Sequence, residues 1–283
     1  MALTSDLTPV QEINGLLMKR DDLFQPFGRG EVNGGKLRQC IMLVDAALAR
    51  DSGAQCLFTY CSIHSPQAPI TAATARARGL PCHIVYGGAK AKNIKKLPMP
   101  RLAMRYGADI YIGTRSGRHN VLLAKTRELA EEKHGFIVQY GINLNGYDDV
   151  LLNAVAAQCE NLPDQVENLV ITCGSGITAA GVMIGLKTFG RQVQTVHLVA
   201  TAPDRRAFIH DTLKRHGADR DFEYHSLFDR PGFVYEKSAR AVWGGIILHP
   251  HYEAKTMQWF CQSGLRPADT LFWIVGAEPT VKP

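Results

Sequence analysis

Four short stretches carry residue types that chemistry uses. "NGGKLRQ" (33–39) sets Lys36 directly after two glycines, with Arg38 two positions on. Paired glycines let the backbone take positive φ and let a neighbouring group come close, so this amine is either a loop lysine ahead of a helix or a nucleophile aimed inward. "LVITCGSGITAAGVMIGL" (169–186) runs a strand into Gly174, Ser175, Gly176, Ile177 and Thr178 and then into a helix of small residues. Backbone N–H groups and the positive end of a helix dipole would converge there, making either a tight strand-to-helix turn or a phosphate cradle. The stretch lacks the third glycine and distant acid of a dinucleotide site, and the Gly-Lys-Ser/Thr of a P-loop. Ser65, Pro66 and Gln67 follow the expected strand from Cys56 to Cys61. A serine there is commonly a helix cap, yet open α/β sheets also place their ligands at that end of a strand. Finally, Tyr252 and Glu253 in "LHPHYEAKTMQWF" (248–260) precede a helical pattern, as a buried tyrosine with a first-turn acid or as a site pair.

These residues need a scaffold, and the hydrophobic pattern supplies one. The runs "AQCLFTYC", "PCHIVYGG", "ADIYIG", "HGFIVQYG", "ENLVITCG", "QTVHLVA" and "DTLFWIVG" read as short strands, several of them apolar on both faces. Helical segments such as "TAATARARG" and "SGRHNVLLAKTRELAEEK" lie between them. Alternation of this kind predicts an α/β fold of open, mainly parallel sheets covered by helices. "KKLPMPR" (95–101) reads as a loop between units, and the polar interval from Thr201 to Phe233 reads as less regular structure.

The bulk numbers exclude several classes. With 283 residues, 46% hydrophobic and 20% charged, the chain is globular material for one large domain or two smaller ones. It holds no run of about 18 apolar residues and its first residues carry no leader pattern, so a cytoplasmic location without membrane insertion is expected. Seven cysteines without a Cys-x-x-Cys pair point to reduced, packed thiols, with neither a disulfide framework nor a metal site. A formal charge of +6 leans toward anionic ligands but is too diffuse to indicate nucleic-acid binding by itself.

Taken in order along the chain, these motifs resemble the fold-type II, tryptophan-synthase-β-like enzymes that use pyridoxal 5'-phosphate (PLP), in particular the aminocyclopropane-carboxylate (ACC) deaminase and D-cysteine desulfhydrase branch. "KRDDLFQPFG" (19–28) resembles the branch's opening segment, "NGGKLRQ" its Schiff-base lysine segment, "HSPQAPITAA" its serine loop, "GSGIT" its phosphate loop and "HPHYEAK" its Tyr-Glu segment. The resemblance spans about Thr8 to Val275. It implies that Lys36 forms the internal aldimine with PLP. Ser65 would be the catalytic serine, able to bind a substrate carboxylate or pass a proton, and Tyr252 an active-site acid, base or nucleophile. Gly174, Ser175, Gly176, Ile177 and Thr178 would hold the phosphate, and Glu253 would face the pyridine nitrogen. It also implies a smaller domain (39–142) inserted into a larger PLP-binding one (1–38 and 143–283), the cofactor lying in the cleft, and a homodimer. Lys255, the other lysine near a motif, reads as a partly exposed helix residue.

The chain departs from that branch at chosen points. Pro66 stands where an asparagine contacts the ring hydroxyl, with Gln67 as its candidate replacement. Phe233 stands where a second tyrosine is expected, with Tyr235 as a stand-in; His249 replaces an aspartate, and residues are lost around 234–248. The leading expectation is a PLP-dependent lyase or deaminase acting at Cα of a small amino acid through a carbanion or quinonoid. One alternative is PLP-dependent modification, for example decarboxylation, of an amino-acid group on a larger carrier such as a hypermodified base in phage DNA. The other is a PLP-binding protein without catalysis.

Overall fold

The structure, a computed structural model, describes residues 6–50, 53–87, 91–114, 118–143, 146 and 148–279. They form two compact units: one joins the N-terminal residues through Phe24 to Leu151–Glu278, the other is Gln25–Val150. The chain starts in the first with β1 (Val10–Ile13) and β2 (Leu16–Arg20), an antiparallel pair closed by Asn14 and Gly15. Both turn residues have positive φ, 51° and 76°, as a two-residue hairpin of Asn-Gly type requires.

The second unit contains α1 (Gly35–Arg50), β3 (Cys56–Tyr60), α2 (Gln67–Ala77), β4 (Cys82–Gly87), α3 (Pro98–Arg105), β5 (Ala108–Thr114), α4 (His119–Glu132) and β6 (Gly135–Val138). Its four strands are parallel, in the order β5-β4-β3-β6. Every residue of β3 is buried, which explains its continuous apolar run: a central parallel strand has no face left for water. Phe58 packs with Cys56 and Ala130 on one side, and Tyr60 with Val85 and Leu122. Each large apolar side chain so removed from water contributes roughly 1.5–3 kcal/mol.

The stretch expected as a loop, "KKLPMPR", instead opens α3 at Pro98. Leu97 precedes it in extended conformation, and a proline in the first helical turn gives up an N–H that no helical bond would have used. The expected domain boundaries, 38/39 and 142/143, both fall inside the second unit. There α1, which carries Lys36, packs against α2, and Asp45 of α1 accepts two hydrogen bonds from Arg78 at the end of α2 (2.8 and 2.7 Å).

With α5 (Asp148–Ala156) the chain returns to the first unit. There follow β7 (Gln165–Cys173), α6 (Ile177–Thr188), β8 (Gln192–Ala200), α7 (Arg206–Arg215), β9 (Glu223–Ser226), a small hairpin of β10 (Val242–Trp243) and β11 (Ile246–Ile247), α8 (Glu253–Ser263) and β12 (Thr270–Ile274). The six-stranded sheet runs β1-β2-β12-β7-β8-β9, parallel throughout except for the β1–β2 pair. On one face Met18, Val170, Val199, Phe272 and Ile274 pack with Met257 and Phe260 of α8. The interval expected to be irregular holds both α7 and the edge strand β9. Among the described residues no helix is long and apolar enough to cross a membrane.

Candidate active site

In the second unit, Lys36 is the second residue of α1, after Gly34 at φ 90°, which turns the chain into the helix. Its Nζ donates to the carbonyl oxygen of Gly141 (3.0 Å). Gly141 is itself held, since its N–H donates to Oε1 of Gln67 (2.8 Å). The Nε2 of Gln67 donates to Oγ1 of Thr59 (2.7 Å) and to the carbonyl of Gln139 (2.9 Å). Gln67 is buried at the start of α2, its carboxamide engaged at both ends by its own unit, so it positions the 139–141 turn that receives the lysine. Ser65 Oγ accepts the N–H of Gln67 (3.2 Å) and is buried. Pro66 is the N-cap residue of α2, so the serine braces the turn into the helix from one residue further out. The hydroxyl proton remains to be donated elsewhere.

In the first unit, β7 ends at Cys173 and Gly174-Ser175-Gly176 leads into α6. Gly176 has φ 88°, and a Cβ there would lie 2.9 Å from Phe208 Cδ1, so both conformation and space demand glycine. Among the described residues no side chain caps α6, whose first residues are Ile177 and the buried Thr178. Thr201, after β8, donates its N–H to the Cys173 carbonyl (3.1 Å), which sets it beside the loop. Its buried Oγ1 meets no partner among the described residues. Nothing in the sequence marked Thr201; its place follows from the β7–β8 register.

The N-terminus of α8 carries the other pair. Thr256 Oγ1 meets Thr172 Oγ1 at 2.7 Å, fixing the helix to the strand that leads into the glycine loop. Glu253 is 2% exposed, and its Oε1 accepts the N–H of Val275 (3.2 Å). Burial raises its pKa to about 8, Asp22 adds to the rise, and backbone N–H groups of Glu253, Val275 and Gly276 oppose it. Among the described residues no basic side chain forms an ion pair with it. Tyr252 Oη and Tyr235 Oη lie 2.6 Å apart, so the stand-in tyrosine does meet the motif tyrosine. Lys255 departs from its expected exposure. It is 7% exposed, its Nζ donates to the carbonyls of Val234 (3.3 Å) and Tyr235 (2.8 Å), and it lies 4.6 Å from the centre of the Phe233 ring. It therefore clamps the 233–235 segment that presents Tyr235. His249, in place of the aspartate, is buried, and burial together with His251 depresses its pKa to about 3.

The segment "KRDDL" serves the frame. Asp21 accepts hydrogen bonds from Trp273 Nε1 (3.1 Å) and Thr8 Oγ1 (2.7 Å), and Lys19 donates to the Thr8 carbonyl (2.7 Å).

The family model described as "Pyridoxal-phosphate dependent enzyme" matches residues 8–229. The chain belongs to that family. Its cofactor is therefore PLP, and its fold is the fold-type II architecture expected from the motifs. Over 94% of the chain and 78% of the relative it is 26% identical to the O-seryl-dTMP PLP-dependent decarboxylase of Salmonella phage ViI. Among solved structures, an ACC deaminase homologue superposes with a TM-score of 0.77 at 20% identity, covering 98% of this chain and 91% of the other. Maize serine racemase gives 0.62 at 15% identity over 96% and 88%. Diaminopropionate ammonia lyase of Escherichia coli gives 0.61 at 13% over 99% and 87%. At these identities the structural likenesses speak for the fold.

Two local features of this PLP enzyme fit the cofactor. The α6 N-terminus offers uncapped N–H groups, a glycine entry and the orphaned Thr201 hydroxyl, a donor set suited to a phosphate. Glu253 is a buried carboxyl without a basic partner among the described residues, a setting that would suit a protonated ring nitrogen.

Proposed function

We propose that this PLP enzyme decarboxylates an amino-acid group, a seryl unit in the first instance, attached to a nucleotide or to a base in DNA. The reading is carried by the likeness to the phage O-seryl-dTMP decarboxylase, which extends over 94% of the chain. When bound, PLP supplies an electron sink for the pair released as a bond at Cα breaks. The chain's residues divide the remaining work. Lys36 is the amine that holds the cofactor and afterwards carries a proton. Gly174 to Thr178 bind its phosphate through backbone N–H groups and the Ser175 and Thr178 hydroxyls. Glu253 keeps the ring nitrogen protonated, and Gln67 keeps the Lys36 acceptor in place. Ser65, with its hydroxyl proton free to donate, orients the substrate carboxylate. In the reaction the Cα–carboxylate bond breaks, CO2 leaves, and Cα takes a proton from Lys36 or Tyr252, so an O-linked seryl group becomes an aminoethyl group.

A second reading, a lyase or deaminase acting on a free small amino acid, draws on the Tyr252–Tyr235 hydroxyl pair. The two differ in product. Incubation of the PLP-loaded protein with O-seryl-dTMP and, separately, with free amino acids should release CO2 from the first. Release of ammonia and a keto acid from the second, with no CO2 from the first, would replace the proposal with the deaminase reading.

A further inference from the structure

We propose that His197 Nδ1, His225 Nε2 and the Glu223 carboxylate form a binding site for one divalent first-row transition ion, Zn2+ above all, at the β8–β9 edge of the six-stranded sheet. The strand register assembles it. Glu223 pairs directly with His197 across the parallel β8–β9 ladder, and His225, two residues on, returns to the same face. The three ligand atoms form a nearly equilateral triangle: His197 Nδ1 to His225 Nε2 3.2 Å, His197 Nδ1 to Glu223 Oε2 3.2 Å, and His225 Nε2 to Glu223 Oε2 3.3 Å. Ligands about 2.0–2.1 Å from a tetrahedral ion stand about 3.3 Å from one another, so the triangle already has the edges of one coordination face.

With both imidazoles neutral, protons alone do not satisfy that triangle. Asn168 Oδ1, an acceptor, sits 3.1 Å from His197 Nε2, so that nitrogen carries the ring hydrogen and Nδ1 turns a lone pair inward. A neutral His225 brings at most one hydrogen to the three short edges, and Glu223 brings only lone pairs. A single cation would satisfy all three edges. Two imidazoles and a carboxylate suit Zn2+ and its first-row neighbours, with a fourth position left for water. The environment completes the site. His197 is 5% exposed, Trp259 of α8 packs 4.4 Å from the His225 ring centre, and the Glu223 side chain reaches solvent and gives access. The cysteine spacing, from which no metal was expected, carries no trace of this set; a Glu-x-His pair on an edge strand is its only local mark. The site lies three residues before the end of β8, away from the glycine loop that follows β7, so its expected effect is to pin the edge strand.

The test uses the PLP-loaded protein, stripped with EDTA and titrated with Zn2+ or Co2+, with bound metal counted by mass spectrometry after dialysis. Wild type should retain one ion per chain, show the visible bands of four-coordinate Co2+, and gain thermal stability on Zn2+ addition. Glu223→Gln and His225→Gln should each abolish the stoichiometric ion and the stability gain, and Asn168→Ala should weaken binding roughly 10-fold or more, as loss of an outer hydrogen bond to a ligating histidine does. Glu223 is exposed, so its variant keeps the test valid even where a histidine variant folds poorly. Equal metal retention by wild type and Glu223→Gln, or loss of the ion on Cys261→Ser instead, would overturn the assignment.

Discussion

Lys36, proposed to hold the cofactor, illustrates how little of a side chain's setting lies next to it in sequence. Its place ahead of a helix was legible in "NGGKLRQ", whereas its acceptor, the Gly141 carbonyl, lies 105 residues away and is held by Gln67. Borohydride reduction of the PLP-loaded protein should fix the cofactor on the peptide containing Lys36, and Lys36→Ala should lose the visible absorption while still binding PLP. Label on Lys255 would refute this, although its amine is already engaged with the Val234 and Tyr235 carbonyls. Glu253 makes a second prediction, through pH. Its folded pKa, about 8, lies above the usual 4.5, so its neutral form is the one folding favours. Its contribution to stability is complete below about pH 4.5 and is lost as pH rises through about 8. PLP-free wild type should therefore lose melting temperature across that window, Glu253→Gln should lose much less, and PLP with a protonated ring nitrogen should shrink the wild-type loss. Identical slopes for wild type and Glu253→Gln would remove the carboxyl from this role.

At the scale of elements, legibility followed burial. The strands buried on both faces, β3 and β12 above all, announced themselves as apolar runs, because a central parallel strand has no polar face to dilute the pattern. What was missed had a mixed surface. The edge strand β9 has no fully buried residue, and α7 has only Ile209, Thr212 and Leu213 buried. Within α3 the prolines hid a helix that begins on one of them. The strand–loop–helix of β7 and α6 was fully legible, and it makes the sharpest test of an element. Gly176→Val should weaken PLP binding about tenfold or more, because a β-branched residue at φ 88° costs at least 1–2 kcal/mol by general estimate and also meets Phe208. Equilibrium dialysis against PLP reads the loss, with circular dichroism checking that the fold persists. Unchanged affinity in a folded variant would mean that the phosphate is held elsewhere.

On the scale of the whole molecule, the same cofactor and fold serve several outcomes at Cα, so the reaction is decided by what fills the space around the amino-acid group. The departures expected from the resembled branch, residues lost around 234–248 and Phe233 in place of a tyrosine, would act there, and neither names the substrate by itself. Charge offers an independent handle. The formal excess of +6 does not by itself choose between a substrate on DNA and the same group on a mononucleotide, but the salt dependence of the reaction does. If the seryl group is modified within DNA, log(kcat/KM) should fall linearly with log salt, with a slope of about −2 or steeper, since each neutralised phosphate contributes about −0.9. The mononucleotide, with one phosphate, should give a much shallower slope. Measuring both between about 50 and 200 mM salt separates the cases without knowledge of the binding surface. A flat DNA profile, with the mononucleotide processed faster, would assign the modification to the nucleotide before its incorporation.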